Sequence, residues 1–286
     1  MKTNVLVTGA NGQLAMTIKH LFSENGKGLN FIFKTRKELD ITSKTSIQET
    51  FENSKIHFCI NCAAYTNVEM AESEQDKAFS VNAEGVKLLA EMCKLNDTVL
   101  IHISTDYIFD GSKGEPYTED DITNPLNVYG KSKLRGENYI KEVSDKYYII
   151  RASWLYSSFG KNFLKTILRK IQDNEDLKII DSQTGTPTSC IDLSEFIVFL
   201  ITTKSVHYGI YHFSANQYCT WYEYALQIAS NIQGYDSFKI KPVGAVKSNV
   251  KRPAYSVLSI KKTEDCFKML NSWQDSVNHV VTQLTN

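Results

Sequence analysis

Residues 4–15 read NVLVTGANGQLA. An apolar run through Val5, Leu6 and Val7 meets Gly9 and Gly12, then passes into the amphipathic stretch 13–24. That is strand, turn and helix in direct succession, the setting a dinucleotide fingerprint requires. Gly9 permits the tight turn, Gly12 lets backbone approach a pyrophosphate, and Ala15 allows the helix to pack closely on a sheet. The helix N-terminus would add amide donors and the positive end of its dipole. The spacing is G-x-x-G-x-x-A, and the segment predicts a parallel α/β sheet with a nucleotide at the carboxyl end of its first strand.

Outward from this turn, the first half repeats the same alternation. Strands are predicted at 4–8, 30–34, 56–62, 98–104 and 147–152, with helices at 13–24, 43–53, 70–95 and 127–144. Apolar strands without in/out alternation, separated by amphipathic helices, indicate βαβ units and a doubly wound parallel sheet covered on both faces. The second half reads as helix 161–173, strand 177–180, a turn-rich loop 181–189, helix 192–203, strand 210–214 and helix 221–233. A loop-rich stretch 235–260 and a last helix 273–284 follow. This divides the chain into a nucleotide-binding domain at 1–152 and a smaller mixed α/β substrate region at 153–286, the latter interleaved with or packed on the sheet. A ligand cleft is expected between them, outside the carboxyl ends of the strands.

The chain has 286 residues, with 32 basic and 32 acidic side chains. Balanced charge offers no general attraction to nucleic acid or to an anionic membrane surface. No apolar run is long enough to cross a bilayer and no signal peptide precedes the first strand, so a soluble cytoplasmic protein is expected. Six cysteines are scattered. Cys59 and Cys62 form a C-x-x-C, but no second Cys/His pair follows at ligand spacing, so they read as small strand residues and no metal is predicted.

Chemistry concentrates at three further places. After the second strand the chain offers Lys34 and Arg36, with Glu38 and Asp40 just beyond. A cation there suits a 2′-phosphate, which favours NADPH over NADH, with NADH as the alternative. Ser104, Thr105 and Asp106 close the fourth strand, where a hydroxyl can donate to a carbonyl oxygen. Tyr129 and Lys133 stand four apart in a predicted helix and therefore share a face. A phenol beside an ammonium is a proton donor whose pKa the positive charge lowers.

Together these residues resemble the extended short-chain dehydrogenase/reductase superfamily, whose catalytic set is Ser/Thr, Tyr and Lys. Within it, 61–66 (NCAAYT) followed by Val68, Glu69, Ala71 and Glu72 is similar to a segment of the dTDP-4-dehydrorhamnose reductase family. So are 104–111 (STDYIFDG), 125–137 (PLNVYGKSKLRGE), 151–156 (RASWLY), Asn162-Phe163, 183–188 (QTGTPT) and Arg252-Pro253 with Ser256 and Leu258. The resemblance implies that Gly9, Asn11, Gly12, Gln13 and Leu14 border the pyrophosphate and that Arg36, Asp40 and Ile41 meet the adenosine end. It places Ala64, Tyr65 and Thr66 along the cofactor, Tyr129 as proton donor, and Lys133 on the nicotinamide ribose. It places Thr105 and Asp106 on the sugar ring, Trp154 against it, and Arg252 on the diphosphate or sugar, although Trp154 could be a core aromatic and Arg252 a surface ion pair. Cys62 replaces a family alanine, Glu69 a family aspartate, and Ser259 stands where aspartate or asparagine is usual. Some members dimerise through a Mg²⁺ site built from glutamates. Thr17 falls where one of those would stand, so a homodimer is an expected assembly but that metal is not.

The implied activity is NADPH-dependent reduction of the C4 ketone of dTDP-4-dehydro-L-rhamnose. The rivals are another nucleotide-sugar 4-reductase or an epimerase on the same scaffold, and a non-catalytic regulatory subunit that keeps the fold.

Overall fold

The computed structural model describes residues 2–23, 28–203, 207–245, 248–268 and 270–285. Strand β1 (Thr3–Thr8) leads through the glycine turn into α1 (Gln13–Phe22), and β2 (Leu29–Lys34), α2 (Lys44–Glu52) and β3 (Phe58–Asn61) follow. The predicted helix 70–95 is broken into α3 (Val68–Ala71), α4 (Gln75–Phe79), a π-helical turn (Ser80–Glu84) and α5 (Gly85–Leu95). Then come β4 (Val99–Thr105), a 3₁₀ turn (Asp106–Ile108), α6 (Val128–Val143) and β5 (Tyr147–Ala152).

The remainder supplies β6 (Leu155–Tyr156), α7 (Phe163–Gln172), β7 (Leu177–Ile180), β8 (Thr184–Gly185), β9 (Thr188–Ser189), α8 (Cys190–Thr202) and β10 (Gly209–Phe213). It ends with β11 (Cys219–Thr220), α9 (Trp221–Ala229), β12 (Ile240–Val243), α10 (Lys261–Cys266) and α11 (Trp273–Thr285). The stretch 235–260, read as loop, holds β12 in parallel register with β7. Its strand is short and carries Pro242, which hides it from a pattern search.

The central sheet has the order β10-β5-β4-β3-β1-β2, and every pairing in it is parallel. Successive side chains of β1 go to opposite faces: Val5 and Val7 join Leu14, Ala15 and Ile18 of α1 and Leu193, Phe196 and Ile197 of α8. Leu6 joins Ile47 and Phe51 of α2, Val86, Leu89 and Ala90 of α5, and Ile140 of α6. Burial on both faces explains why the strands lack a polar alternation. The second half interleaves with this sheet, since β10 is its edge strand and α8 covers one face. A separate apolar cluster ties α7, α9 and α11 together through Leu164, Ile167, Tyr224, Ile228, Val277 and Val280. Strand order reverses between β1 and β3, and the crevice there opens at the strands' carboxyl ends,. Among the described residues no helix is long and apolar enough to cross a membrane.

Candidate active site

Gly9 holds a positive φ of 64°. A Cβ on it would lie 2.8 Å from the Ala63 nitrogen, so the turn after β1 presses directly on the backbone that follows β3. Only glycine meets both conditions. Gly12 caps α1 with no side-chain hydrogen bond, which leaves the first amides of α1 facing outward. Beside this turn lies a cavity of about 260 Å³ bordered by Gly9, Asn11, Gly12, Arg36, Asp40, Ile41, Ala64 and Tyr65. Leu39, Cys62, Ala63, Lys77 and Val81 complete its wall.

Five expected cofactor residues do not line this cavity: Tyr129 and Lys133, described below, and Gln13, Leu14 and Thr66. Leu14 is buried in the core, Gln13 accepts from the Asn162 amide at 2.8 Å, and Thr66 is exposed. At the cavity mouth Arg36 Nε is 3.6 Å from Asp40 Oδ2. Burial opposes ionisation of Asp40, but hydrogen bonds from Thr42 and the Arg36 guanidinium hold its pKa below the ordinary value. Lys77, which the sequence reading missed, adds a second cation to the wall while pairing with Glu74 at 2.8 Å.

The reacting side chains are delivered by α6, whose start is tightly anchored. Asn127 caps it by accepting from Gly130 N at 2.8 Å, and Glu72 accepts from Val128 N at 2.8 Å. A Cβ on Gly130 would lie 2.2 Å from the Tyr107 carbonyl oxygen, and one on Gly136 2.2 Å from that of Asn82. Backbone-to-backbone contact at these glycines sets α6 against the end of β4 and against the π turn. Tyr129 then comes to lie beside the Thr105 hydroxyl, and the Tyr107 ring meets it edge-on at 6.0 Å.

Lys133 shares the helix face with Tyr129 but points inward. Its Nζ donates to the Ile103 carbonyl at 2.6 Å and sits 3.4 Å from His102 Nε2. Lys133 is not among the groups that move the phenol's pKa in this arrangement. Burial pushes Tyr129 up to about 12 and, acting on a cation, brings Lys133 down to about 8,.

Under this cluster runs a fully buried polar network. Glu137 accepts from Ser104 Oγ at 2.5 Å and pairs with Arg151 Nη2 at 2.8 Å. Arg151 Nη1 lies 3.3 Å from His212 Nε2, which links β5 to β10. Glu137 is four residues beyond Lys133 and eight beyond Tyr129. That spacing was available in the sequence as one helix face, and it went unread.

A larger cleft of about 890 Å³ is bordered by Tyr107, two residues beyond Thr105, and by Trp221 and Arg252. Asp106 is 2% exposed. Its Oδ1 accepts from Thr105 at 3.1 Å, while Oδ2 is buried without a well-aligned donor among the described residues. Burial pushes this carboxyl up to about 6, partly offset by the neighbouring Ser256 and Thr105 hydroxyls. Trp154 takes a φ of 45° and stacks on Trp221 with ring centroids 3.6 Å apart, its indole filling the space over Gly185. Arg252 lines the cleft, paired with Glu69 and donating to Ser248 Oγ at 3.1 Å. Its guanidinium also lies near the Tyr107 hydroxyl. Phe163, Lys178, Gln183 and Lys251 line the same cleft. Segments far apart in sequence bring them there, and only Phe163 and Gln183 lay in stretches singled out for function.

A parallel sheet with a glycine turn at its switch point, and a Tyr-x-x-x-Lys helix beside the next crossover, define an oxidoreductase of the short-chain dehydrogenase/reductase type,. Comparison with known proteins narrows this. The family model described as "RmlD substrate binding domain" matches residues 2–286. The chain is 36% identical to a dTDP-4-dehydrorhamnose reductase of Aggregatibacter actinomycetemcomitans, over 96% of this chain and 97% of that one. It is 34% identical to the spore coat polysaccharide biosynthesis protein SpsK of Bacillus subtilis, over 98% of both chains. A crystal structure of a dTDP-4-dehydrorhamnose reductase from Clostridium acetobutylicum superposes with a TM-score of 0.93 at 36% identity, covering 99% of this chain and all of that one. The Bacillus anthracis enzyme, solved in complex with NADP, gives 0.90 at 35% identity over 99% of both chains. The chain belongs to the dTDP-4-dehydrorhamnose reductase family.

Proposed function

We propose that this chain reduces the C4 ketone of dTDP-4-dehydro-L-rhamnose to dTDP-L-rhamnose with NADPH, the final step of dTDP-L-rhamnose synthesis. The observation that carries the reading is the position of Thr105, Tyr129 and Lys133. Thr105 ends β4, Tyr129 of α6 lies beside it, and Lys133 of the same helix reaches back to the Ile103 carbonyl of β4. The nicotinamide, when bound, supplies the hydride. Tyr129 gives its phenolic proton to the carbonyl oxygen as negative charge develops there, and Thr105 donates a hydrogen bond to the same oxygen. Lys133 holds the nicotinamide ribose and provides positive charge beside the phenol. Asp106 takes a sugar hydroxyl on Oδ2, the oxygen left without a donor among the described residues, Trp154 packs against the ring, and Arg252 turns from Glu69 to the diphosphate, whose oxygens suit its fork,. Arg36 at the cavity mouth favours NADPH over NADH. Residues 1–152 supply the cofactor contacts, and residues 153–286 most of the substrate cleft.

The test is incubation of the protein with dTDP-4-dehydro-6-deoxyglucose, the pathway's epimerase and NADPH. NADPH oxidation with dTDP-L-rhamnose as product supports the reading. Absence of oxidation, with tightly held NAD released from the purified protein, would instead indicate an epimerase.

A further inference from the structure

Lys133 occupies surroundings that do not suit its expected charge. It is 2% exposed, and among the described residues it makes no ion pair, because Glu137 is taken by Arg151 at 2.8 Å. Two groups meet its Nζ: the Ile103 carbonyl and His102 Nε2. The state of that imidazole follows from the hydrogen bonds behind it. Asn61 Oδ1 accepts from the Thr8 hydroxyl at 2.6 Å and from Ala63 N at 3.3 Å. These two donors fix the orientation of the Asn61 amide, so its Nδ2 is the group 3.1 Å from His102 Nδ1. A donor against Nδ1 makes that nitrogen the acceptor, and the single proton of a neutral imidazole then sits on Nε2. Burial holds the His102 pKa far below its ordinary value, so the ring is neutral.

The Nε2–H therefore points at Lys133 Nζ. An ammonium has three donors and no acceptor, so it would set donor against donor. A neutral amine accepts from His102 and still donates to Ile103.

We infer that Lys133 gives up its proton readily before the cofactor binds, its neutral amine then accepting the Nε2–H of His102, and that binding of the cofactor brings the proton back onto it. His102, with Asn61 and Thr8 behind it, is then a positioning residue that sets the resting state of Lys133. The balance is simple: Lys133 takes one proton from buffer, becomes an ammonium, and donates to the ribose hydroxyl oxygens. Burial brings Lys133 down to about 8, while Glu137 and the Cys62 thiol oppose it. Three other titratable groups face it. Tyr129 and Cys62 are both pushed up to about 12, and Glu137 is held by Arg151 and Ser104. The inference rests on the proposed placement of NADPH beside Lys133. It implies that affinity for NADPH falls as pH rises through about 8, because the bound form holds the proton more tightly.

Calorimetric titration of NADPH into the full chain, in Tris and in bicine at about pH 8.5, counts the protons. We expect uptake of more than about half a proton per NADPH, shrinking to about a tenth at pH 7. Lys133→Met should bind with no uptake. His102→Gln, whose carbonyl oxygen can accept from an ammonium, should also lose the uptake and the fall in affinity above pH 8. Binding heat in the wild type with equal values in both buffers overturns the inference and leaves the cofactor reading standing. Undiminished uptake in His102→Gln overturns the role of His102. No heat in either buffer removes the cofactor reading and the inference with it.

Discussion

A phenol with a pKa of about 12 gives up its proton reluctantly, and burial brings Tyr129 to that value. The residue is thus fully protonated before substrate arrives, which a proton donor requires, and a charge arriving on Lys133 would ease release at the moment of need. Tyr129→Phe should cost at least a hundredfold in kcat while NADPH affinity stays within about threefold, measured by steady-state kinetics and direct titration. Wild-type turnover in that variant would remove Tyr129 from the mechanism. Asp106 makes a second prediction at the same scale. Its folded pKa of about 6 lies above the ordinary 3.8. The folded state therefore binds the proton more tightly than the unfolded one, and stability falls as pH rises from about 4 to about 6. Above that window the full penalty, at most about 3 kcal/mol, is present. Asp106→Asn should raise the melting temperature at pH 8 and leave it nearly unchanged at pH 4, while turnover drops because a sugar hydroxyl loses its acceptor. An equal shift at both pH values would exclude burial of the charge as the cause.

Helix α6 shows how elements place those residues. Its two glycines touch carbonyl oxygens of other segments, where a Cβ would sit at 2.2 Å. Gly136→Ala gains about 1 kcal/mol of helix propensity but must push α6 off the π turn, at roughly 1–3 kcal/mol. The clash should win. We expect lower stability in urea and, because Lys133 moves with the helix, a loss of activity larger than the stability change explains. Glu137→Gln strips the partner from Arg151, which is 2% exposed, and should cost about 3–5 kcal/mol. The same region shows where sequence reasoning stops. Residues 70–95 keep an apolar helical period through Ala71, Ala78, Ala83 and Val86, so they read as one helix. The break comes from tertiary contacts: the Asn82 side chain serves the Tyr65 backbone and Ser132 Oγ, and its carbonyl meets Gly136. No local pattern encodes partners so far along the chain. Tyr129, Lys133 and Thr105 were legible because helix spacing and a strand end are local signals. His102 was hidden inside an apolar strand, and its role depends on Asn61 and Thr8 from two others.

At the scale of the molecule, the second half completes the sheet as well as capping it. Strand β10 pairs with β5 along its whole length, and α8 shares a core with α1. A fragment ending at residue 152 would leave the edge of β5 and one sheet face exposed to water. We expect it to lack cooperative unfolding and to aggregate, as judged by circular dichroism and light scattering; a sharp two-state melt would show that the first half folds alone. The strand 210–214 was visible as an apolar run, but a run carries no record of which neighbour it joins. The topology also dictates an order of birth. On the ribosome the edge of β5 waits unpaired until Phe213 has cleared the exit tunnel, an interval of several seconds at about 5–20 residues per second. During synthesis the nascent chain therefore presents an open, apolar strand edge, a surface that must be kept from pairing wrongly until the sheet closes.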